Sequence, residues 1–351
     1  MSLVPLTSLV LRRVLRRSAT LAGVSAKSWT LCDAEASTVP PAIYLPGSLE
    51  RVSGVMSDTT LPSELRRIHG GQVEHGATVV HAVRRARLIR GSLYAGAWKH
   101  PLLERSRRAA PKKALCGERT GALACSLYGN IYFGHWLRCD LTLALAAETL
   151  GKPVLVARAP YRHEPGYRRL LDLEMPTWSA GSFEQLLVLE DFAQNSFKRR
   201  RYQELRARLR SQLGEGQGGM VYLRRGVLGS REQRSLLNGP EVERFLISQG
   251  ARIIDPDNMP ADEIVRGIMG ARLVFSTEGS HLGHAIYAVA DDATLCAFQP
   301  PTRFNNVYKD YTDCLGMRYA FVIGRPGDGG FVIDMDDIAR TLDLLSKQVR
   351  L

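Results

Sequence analysis

Apolar and polar positions along the chain follow two periods, one typical of strands and one typical of helices. In the second half, predicted strands and helices alternate strictly and are joined by short connections. Such alternation predicts a parallel sheet with helices on both faces. The predicted strands are 221–224, 251–254, 272–276 and 294–298, and the predicted helices are 240–249, 261–269, 281–290 and a terminal helix at 335–348.

The first half has a less regular pattern. A short apolar strand, a long helix rich in Leu and Ala and a second strand predict one β-α-β unit. Gly151 and Pro153 mark the end of that helix in the expected order. The unit spans 122–127, 133–150 and 153–157; short meander strands are predicted at 78–83, 87–90 and 92–95, a later strand at 185–189 and a basic helix at 197–213.

The length of the chain, 351 residues, exceeds the size at which one hydrophobic core stops growing, so two domains are expected. Pro and Ser between 34 and 62 suggest a linker or an irregular arm. The glycine run at 214–219 satisfies G-x-G-x-x-G, but it follows a helix and precedes a strand, so we predict a flexible loop. The expected domains are a basic leader and linker at 1–58, an N-terminal α/β lobe at 59–213, and a C-terminal α/β lobe with the terminal helix at 214–351.

The net charge of +12 favours anionic partners, whether phosphates, nucleic acid or acidic lipid. A nucleic-acid module would use the basic run at 198–201 with Arg206, Arg208 and Arg210. Aromatic residues for base stacking are scarce in that run. We therefore interpret it as a solvated helix face and expect no nucleic-acid partner.

The N-terminal segment at 3–22 mixes Leu and Val with four arginines, which interrupt the apolar run that a signal peptide needs. An amphipathic helix on anionic lipid and a disordered basic tail both remain open for it. Six cysteines without zinc spacing or a C-x-x-C pair fit reduced thiols. We therefore expect a cytoplasmic protein, with peripheral contact at the inner membrane face as the further option.

Polar residues gather where the predicted strands of the second half end. Ligands of open parallel sheets bind at the carboxyl ends of the strands. Of the adjacent Arg224 and Arg225, only one should face that site because side chains alternate along a strand, and we choose Arg225. Arg234 is a second candidate, since a guanidinium group matches phosphate oxygens. Surface ion pairing is the open alternative for each arginine.

The segment Glu278-Gly279-Ser280 precedes a predicted helix. Gly279 permits a tight turn, and the hydroxyl and N–H groups of Ser280 at a helix start favour an anion. Glu278 would repel phosphate, so it is a candidate base or ribose ligand, with helix capping as the alternative. His284 is expected to face a donor or to pack on the sheet. His281 and His284 could bind one metal ion only if further side chains served as ligands, so no metal is expected.

His135 is the other candidate base, because imidazole titrates near neutral pH and this residue follows Gly134 at a helix start. A structural histidine bonded to backbone beside Trp136 is an equal alternative. Asp255-Pro256-Asp257 has the form of a metal-binding D-x-D, but turn formation explains it adequately.

Four segments, in their order and spacing, resemble glycosyltransferase family 61, above all its bacterial members described as capsular polysaccharide biosynthesis proteins. The resemblance covers about 94–325. Two departures occur: Glu278-Gly279-Ser280 stands where many relatives carry His-Gly-Ala, and Asn238-Gly239 stands where they often carry Asn-Glu. The four segments are Gly134-His135-Trp136-Leu137, Tyr222-Leu223-Arg224-Arg225, Arg234 to Asn238 with Glu241, and Glu278-Gly279-Ser280.

The resemblance implies an inverting hexosyl- or pentosyltransferase that is GT-B-like, with two Rossmann-type α/β lobes and an interlobe cleft. It implies a nucleotide-sugar donor, a glycan or lipid-linked acceptor on the N-terminal lobe, no metal and no cofactor, in surface polysaccharide synthesis. A catalytically inactive homologue that binds sugar nucleotide or polysaccharide is the alternative. The candidate catalytic residues are His135 and Glu278, and the candidate donor-binding residues are Arg225, Arg234, Gly279, Ser280 and His284.

Overall fold

The computed structural model describes residues 4–14, 19–104, 118–225 and 234–347. The strands are β1 (Ser25–Cys32), β2 (Glu35–Val39), β3 (Gly71–His75), β4 (Thr78–Ile89), β5 (Ser92–Ala95), β6 (Trp98–Pro101), β7 (Glu118–Leu123), β8 (Lys152–Val156), β9 (Thr177–Trp178), β10 (Ala180–Glu190), β11 (Met220–Leu223), β12 (Arg252–Ile254), β13 (Leu273–Thr277), β14 (Thr294–Gln299), β15 (Arg318–Ile323), β16 (Arg325–Gly327) and β17 (Gly330–Val332). The helices are α1 (Val4–Val14), α2 (Leu21–Val24), α3 (Leu61–His69), α4 (Leu127–Ile131), α5 (Phe133–His135), α6 (Leu141–Leu150), α7 (Glu164–Leu170), α8 (Ser196–Leu213), α9 (Gly239–Ser248), α10 (Ala261–Ile268), α11 (Gly283–Ala288), α12 (Val307–Leu315) and α13 (Met335–Ser346). Single turns of 3₁₀ helix lie at Ser48–Arg51 and Ser280–Leu282, and a π-helical turn lies at Trp136–Asp140.

The chain divides into two compact units: residues up to 35 with 75–201, and residues 36–74 with those from 202 onward. This division differs from the expected leader and linker at 1–58 and from the expected lobe boundary at 213. Segment 36–74 belongs to the second unit because its backbone bonds there. Ile43 N donates to the Tyr319 carbonyl at 2.9 Å, and Ile43 O accepts from Phe321 N at 3.1 Å.

The second unit contains a five-stranded sheet in the order β12-β11-β13-β14-β15, with every pair parallel. The alternation predicted for this half is confirmed, with element ends shifted by at most two residues. Position 348 of the terminal helix lies outside the described residues. Apolar side chains of the central strands are buried, among them Phe275 and Phe298, which explains their continuous hydrophobic runs.

The first unit is built on a mixed sheet in the order β6-β5-β4-β10-β7-β8-β9, with β1 also paired to β4. Strands β4, β5 and β6 pair antiparallel, whereas β10, β7, β8 and β9 pair parallel. The sheet therefore differs from the Rossmann-type lobe that the resemblance implies. The reason is local: β4, β5 and β6 are joined by short turns, and a short turn can connect only antiparallel neighbours.

The predicted β-α-β unit of the first half is present. The helical run at 133–150 is continuous but changes character: α5 leads into the π-helical turn, which leads into α6. A π-helical turn is rare and is found mostly at functional sites. Gly134, His135 and Trp136 lie at the start of this run.

The basic helix α8 is only in part the solvated face that the sequence suggests, since Arg199 and Arg200 are exposed. Lys198, Arg201 and Arg206 are buried, at 1%, 5% and 2% exposure. Arg201 bonds Asp191 at 2.7 Å, and Arg206 bonds Asp291 at 2.9 Å. Buried charges need partners of opposite sign, so much of the cationic run serves internal ion pairs.

Candidate functional site

The second sheet reverses its winding between β11 and β13, because β11 leads outward to β12 whereas the chain then crosses back to β13, β14 and β15. Arg224 and Arg225 directly follow β11, and Thr277 ends β13. In doubly wound sheets, ligands bind at the carboxyl ends of the strands at such a reversal.

A pocket of about 550 Å³ opens at this position. Its volume lies within the range of small-molecule sites. Apolar residues of α9 and of the segment before it line part of the pocket. Its charged lining residues are Arg224, Arg225, Arg234, Arg244 and Glu243. The excess of guanidinium groups over carboxylates makes it a site for an anion.

Glu278 lies next to the pocket and contacts several arginine side chains. Its Oε2 accepts from Arg303 Nη1 at 2.6 Å and lies 4.0 Å from Arg234 Nη1. Its Oε1 accepts from Asn305 Nδ2 at 2.9 Å, and its backbone carbonyl accepts from Arg225 Nη1. The guanidinium groups of Arg303 and Arg234 lie at the Glu278 carboxylate, and that of Arg225 binds the Glu278 backbone carbonyl. Three cations against one anion leave this part of the site with a net positive charge.

Arg225 is strongly affected by this crowding. Burial, and then repulsion from Arg234, lower the pKa of Arg225 to about 10. The side chain remains a cation at neutral pH, but its charge is poorly solvated. An anionic ligand would therefore gain more from Arg225 than from an exposed arginine.

Gly279 is required by the close approach of Arg225. The residue has φ of 157°, and a Cβ added there would overlap the Arg225 guanidinium group. Its carbonyl accepts from the hydroxyl of buried Tyr308 at 2.9 Å. The turn is thus contacted from two sides, and a larger residue would have to displace the Arg225 guanidinium group from the Glu278 carbonyl.

Thr277 at the end of β13 is one of the residues that line the pocket. The residue is 1% exposed, and within the described residues its Oγ1 has no hydrogen-bond partner. A buried hydroxyl without a partner costs free energy, and such groups are rare in native proteins. A ligand oxygen in the pocket would satisfy it.

His281 lies beneath the same turn. Ser276 Oγ donates to the Leu223 carbonyl at 2.5 Å, so it must accept from His281 Nε2, which lies 2.6 Å away. The proton of the neutral imidazole is therefore on Nε2. Burial, and then the charge of Arg225, hold the pKa of His281 well below its usual value.

This shift predicts a pH dependence of stability. Below pH 6.5 the unfolded state takes up a proton at His281 that the folded state does not, so the free energy of unfolding should fall as pH falls. For one such group the loss between pH 7.5 and 5.5 is about 1.4 kcal/mol. Urea unfolding should show a loss smaller by this amount in His281→Gln, which retains a donor but does not titrate. Equal losses in parent and variant would contradict this account.

The structure brings four of the predicted site residues together: Arg225, Arg234, Glu278 and Gly279. Ser280 is exposed and begins only a 3₁₀ turn, and the helix after it has six residues. His284 is buried, at 1% exposure, on that short helix. The helix start is therefore a weaker contributor to anion binding than the sequence suggests.

His135 lies in the first unit and is half-buried. Its ring contacts Tyr128 and Tyr132, with centroids 5.6 and 5.9 Å apart. Its Nδ1 lies 3.9 Å from Cys139 Sγ. The imidazole therefore packs beside two exposed aromatic side chains at the protein surface.

Several residues of the second-unit site were missed by the sequence reasoning, namely Arg303, Asn305, Thr277 and Tyr308. Arg303 and Asn305 follow β14, the next strand of the sheet, so the strand-end rule that selects Arg225 applies to them as well. Nothing in the sequence distinguishes Thr277 from an ordinary buried threonine.

Arg224 has a different role from Arg225. It donates to Glu243 at 3.0 Å and to Asp255 at 2.7 Å, and Asp255 also accepts from Asn258 at 2.9 Å. Asp255 is therefore engaged in a turn and an ion pair. Among the described parts of the chain, no group of three or more His, Cys, Asp or Glu side chains is arranged to hold a metal ion.

Comparison with known proteins gives one strong match. The family model described as Glycosyltransferase 61 matches residues 38–296. No curated protein sequence matches the chain significantly. Among solved structures, the metal-soaked Flv1 flavodiiron core from Synechocystis sp. PCC6803 is similar over 77% of this chain and 65% of that chain, with 10% identity and a TM-score of 0.25. The chain thus spans less than two thirds of that structure, and the likeness is too weak to bear on function.

Proposed function

Since this chain belongs to glycosyltransferase family 61 and is therefore a glycosyltransferase, we propose that it is an inverting enzyme that uses a nucleotide-sugar donor. The acceptor is a glycan or a lipid-linked glycan in surface polysaccharide synthesis. The observation that carries the proposal is the pocket at the reversal of the second sheet, which Arg225, Arg234 and Thr277 line together.

The pocket chemistry suits a leaving nucleoside diphosphate. Breaking the bond between sugar and phosphate places negative charge on the diphosphate, and fixed cations stabilise that charge most where solvent is limited. Arg225 and Arg234 supply the cations, and Thr277 can donate a hydrogen bond to a phosphate oxygen. These groups are already oriented before the donor binds, so little reorganisation is needed during the reaction.

Proton removal from the acceptor hydroxyl requires a base. We assign this role to His135 rather than to Glu278. Both Glu278 oxygens accept hydrogen bonds, from Arg303 and Asn305, so its geometry suits an anchor for the arginines. His135 is half-buried beside two exposed tyrosines and is accessible to an acceptor.

The proposal includes the GT-B-like arrangement, with the donor on the second unit and the acceptor on the first. It requires neither a metal nor a cofactor, because the arginines take the part that a divalent cation plays in other transferases. Asp255, the first residue of the D-x-D segment, supports this view because its carboxylate already forms an ion pair with Arg224.

A cytoplasmic location at the inner membrane face completes the proposal. No helix in the described ranges is long and apolar enough to cross a membrane. In α1, however, Ser8 is buried, whereas Leu9, Val10 and Leu11 are 47%, 58% and 41% exposed. Apolar residues that face outward suit an interfacial helix, and the sequence places Arg12 and Arg13 directly after them, which favours anionic lipid. Arg16 and Arg17 lie outside the described residues.

Donor hydrolysis tests the proposed function. The protein, incubated with UDP-, GDP- and CMP-linked sugars, should release nucleotide from one of them. The double variant Arg225→Ala/Arg234→Ala should lose this activity, because the leaving group is no longer stabilised. Binding of a donor without turnover, in the presence of a cell-wall glycan extract, would favour the inactive homologue. Absence of binding to every donor would contradict the proposal.

A further inference from the structure

We propose that Tyr128, Tyr132 and His135 form an aromatic platform that binds a neutral sugar ring of the acceptor glycan. The inference rests on the proposed function and extends it to acceptor recognition in the first unit. Tyr128 lies in α4, Tyr132 has extended backbone between α4 and α5, and His135 ends α5, so the bend at Tyr132 brings the three rings together. The His135 ring lies 5.6 Å from that of Tyr128 and 5.9 Å from that of Tyr132.

The exposure of the two tyrosines is unusual. Tyr128 is 58% exposed and Tyr132 is 50% exposed. Among the described residues, the only other strongly exposed aromatic side chain is Phe192, at 84%. Large aromatic side chains normally contribute most when buried. Two of these three exposed aromatic side chains lie close together in the chain and beside a candidate base, so they indicate a surface that a ligand covers.

The platform rests on a rigid support. Ser126 caps α4 by accepting from Gly129 N at 2.9 Å, and buried Asp140 accepts from the Ser126 hydroxyl at 2.7 Å. The Gly129 carbonyl accepts from the Tyr161 hydroxyl at 2.9 Å. The exposed rings thus project from a fixed backbone, which limits the entropy lost on binding.

A second set of contacts holds the middle of α4. Asn130 donates to the Leu102 carbonyl at 3.0 Å and accepts from Arg158 Nε at 2.8 Å. Asn130 is 3% exposed. The helix therefore buries its polar side and presents its aromatic side, the reverse of an ordinary surface helix.

The chemistry of the platform selects a carbohydrate. Sugar rings present C–H groups that lie on aromatic faces and hydroxyls that bond phenol and imidazole groups, so one ligand can use both. Three side chains are too few for a stable protein interface, which buries about 800 Å² on each partner. Gly129 and Asn130 between the tyrosines are buried, and Leu127 and Ile131 are only partly exposed, so the two rings form most of the exposed surface of this segment.

Ligand-observed saturation-transfer NMR tests this inference, with maltohexaose, cellohexaose and chitohexaose as probes. The parent should bind at least one probe. The double variant Tyr128→Ala/Tyr132→Ala should bind it about tenfold more weakly or worse, since two stacking contacts are lost. Tyr128→Phe/Tyr132→Phe keeps the rings and should retain most of the affinity. Phe192→Ala is the matched control for loss of an exposed aromatic.

Two results would overturn the inference: no probe binds the parent, or the double alanine variant binds as the parent does. The single variants Tyr128→Ala and Tyr132→Ala replace the double variant if its circular dichroism shows loss of fold. Calorimetry with the active nucleotide sugar on the same samples separates the two proposals. If the parent binds the nucleotide sugar but the tyrosine variants bind the oligosaccharide as the parent does, only the aromatic platform is contradicted. If the parent binds no nucleotide sugar, the proposed function is contradicted.

Discussion

Replacing Arg225 with alanine should weaken donor binding about tenfold or more, equivalent to roughly 1.4 kcal/mol. The reason is the position of the guanidinium group, which lines the pocket beside Arg234 and is largely withdrawn from water. A cation in such surroundings interacts with phosphate more strongly than an exposed one does. The same side chain donates to the Glu278 carbonyl, so it also orders the turn at Gly279.

Isothermal calorimetry with the nucleotide sugar that the hydrolysis screen identifies measures this effect. Arg225→Lys retains the charge but loses the planar fork, so it should fall between parent and alanine variant. Arg340→Ala is a suitable control, because Arg340 is half exposed on α13 and, within the described part of the chain, forms ion pairs with Asp336 and Asp337 of the same helix. Equal affinity of Arg225→Ala and parent would remove Arg225 from the site.

Replacing Glu278 with glutamine should lower the free energy of unfolding by about 3 kcal/mol, because it leaves partly buried cations without their shared carboxylate. The Glu278 side chain is only 5% exposed, and the Arg303 and Arg234 side chains are 19% and 18% exposed. Nucleotide binding should not weaken, since the pocket becomes more positive. Loss of stability with retained nucleotide affinity is the combination expected of an anchoring residue.

Urea unfolding and calorimetry measure the two effects in Glu278→Gln. Asp336→Asn is the control, because Asp336 is 72% exposed and pairs with Arg340 at 3.8 Å, so its loss should change stability little. Unchanged stability in Glu278→Gln would contradict the anchoring role.

Single-turnover kinetics then distinguish the candidate bases. His135→Ala should slow transfer by about a hundredfold or more, as expected for loss of general base catalysis, whereas Glu278→Gln should retain most of the rate at saturating donor. A normal rate in His135→Ala would exclude His135 as the proton acceptor and return the role to Glu278.

The sequence predicts the second unit better than the first for a physical reason. Strands such as β13 and β14 are buried on both faces and alternate with helices, so local pattern and final topology agree. In the first unit, β4 is longer than either strand predicted within it, and its pairing with distant β1 and β10 leaves no local signal. Segment 36–74 was misassigned because Pro and Ser content does not reveal its backbone bonds to β15.

The candidate site was predicted in part. Arg225 can be predicted from its position at a strand end and Gly279 from its suitability for a tight turn, and both are local properties of the sequence. Arg303 follows β14, so the strand-end rule could also have selected it, but its contact with Glu278 depends on which strands become neighbours. Thr277 depends on which buried hydroxyl lacks a partner. Both are tertiary properties. The burial of Lys198 and Arg201 depends on Asp191, just before α8, whereas that of Arg206 depends on Asp291, 85 residues further along the chain.

A crystal structure with the bound nucleotide sugar tests the central claim most directly. We predict the diphosphate in the pocket at the reversal of the second sheet, with its oxygens within hydrogen-bond distance of Arg225, Arg234 and the Thr277 hydroxyl. A diphosphate bound elsewhere, with these three side chains free of ligand, would contradict the account.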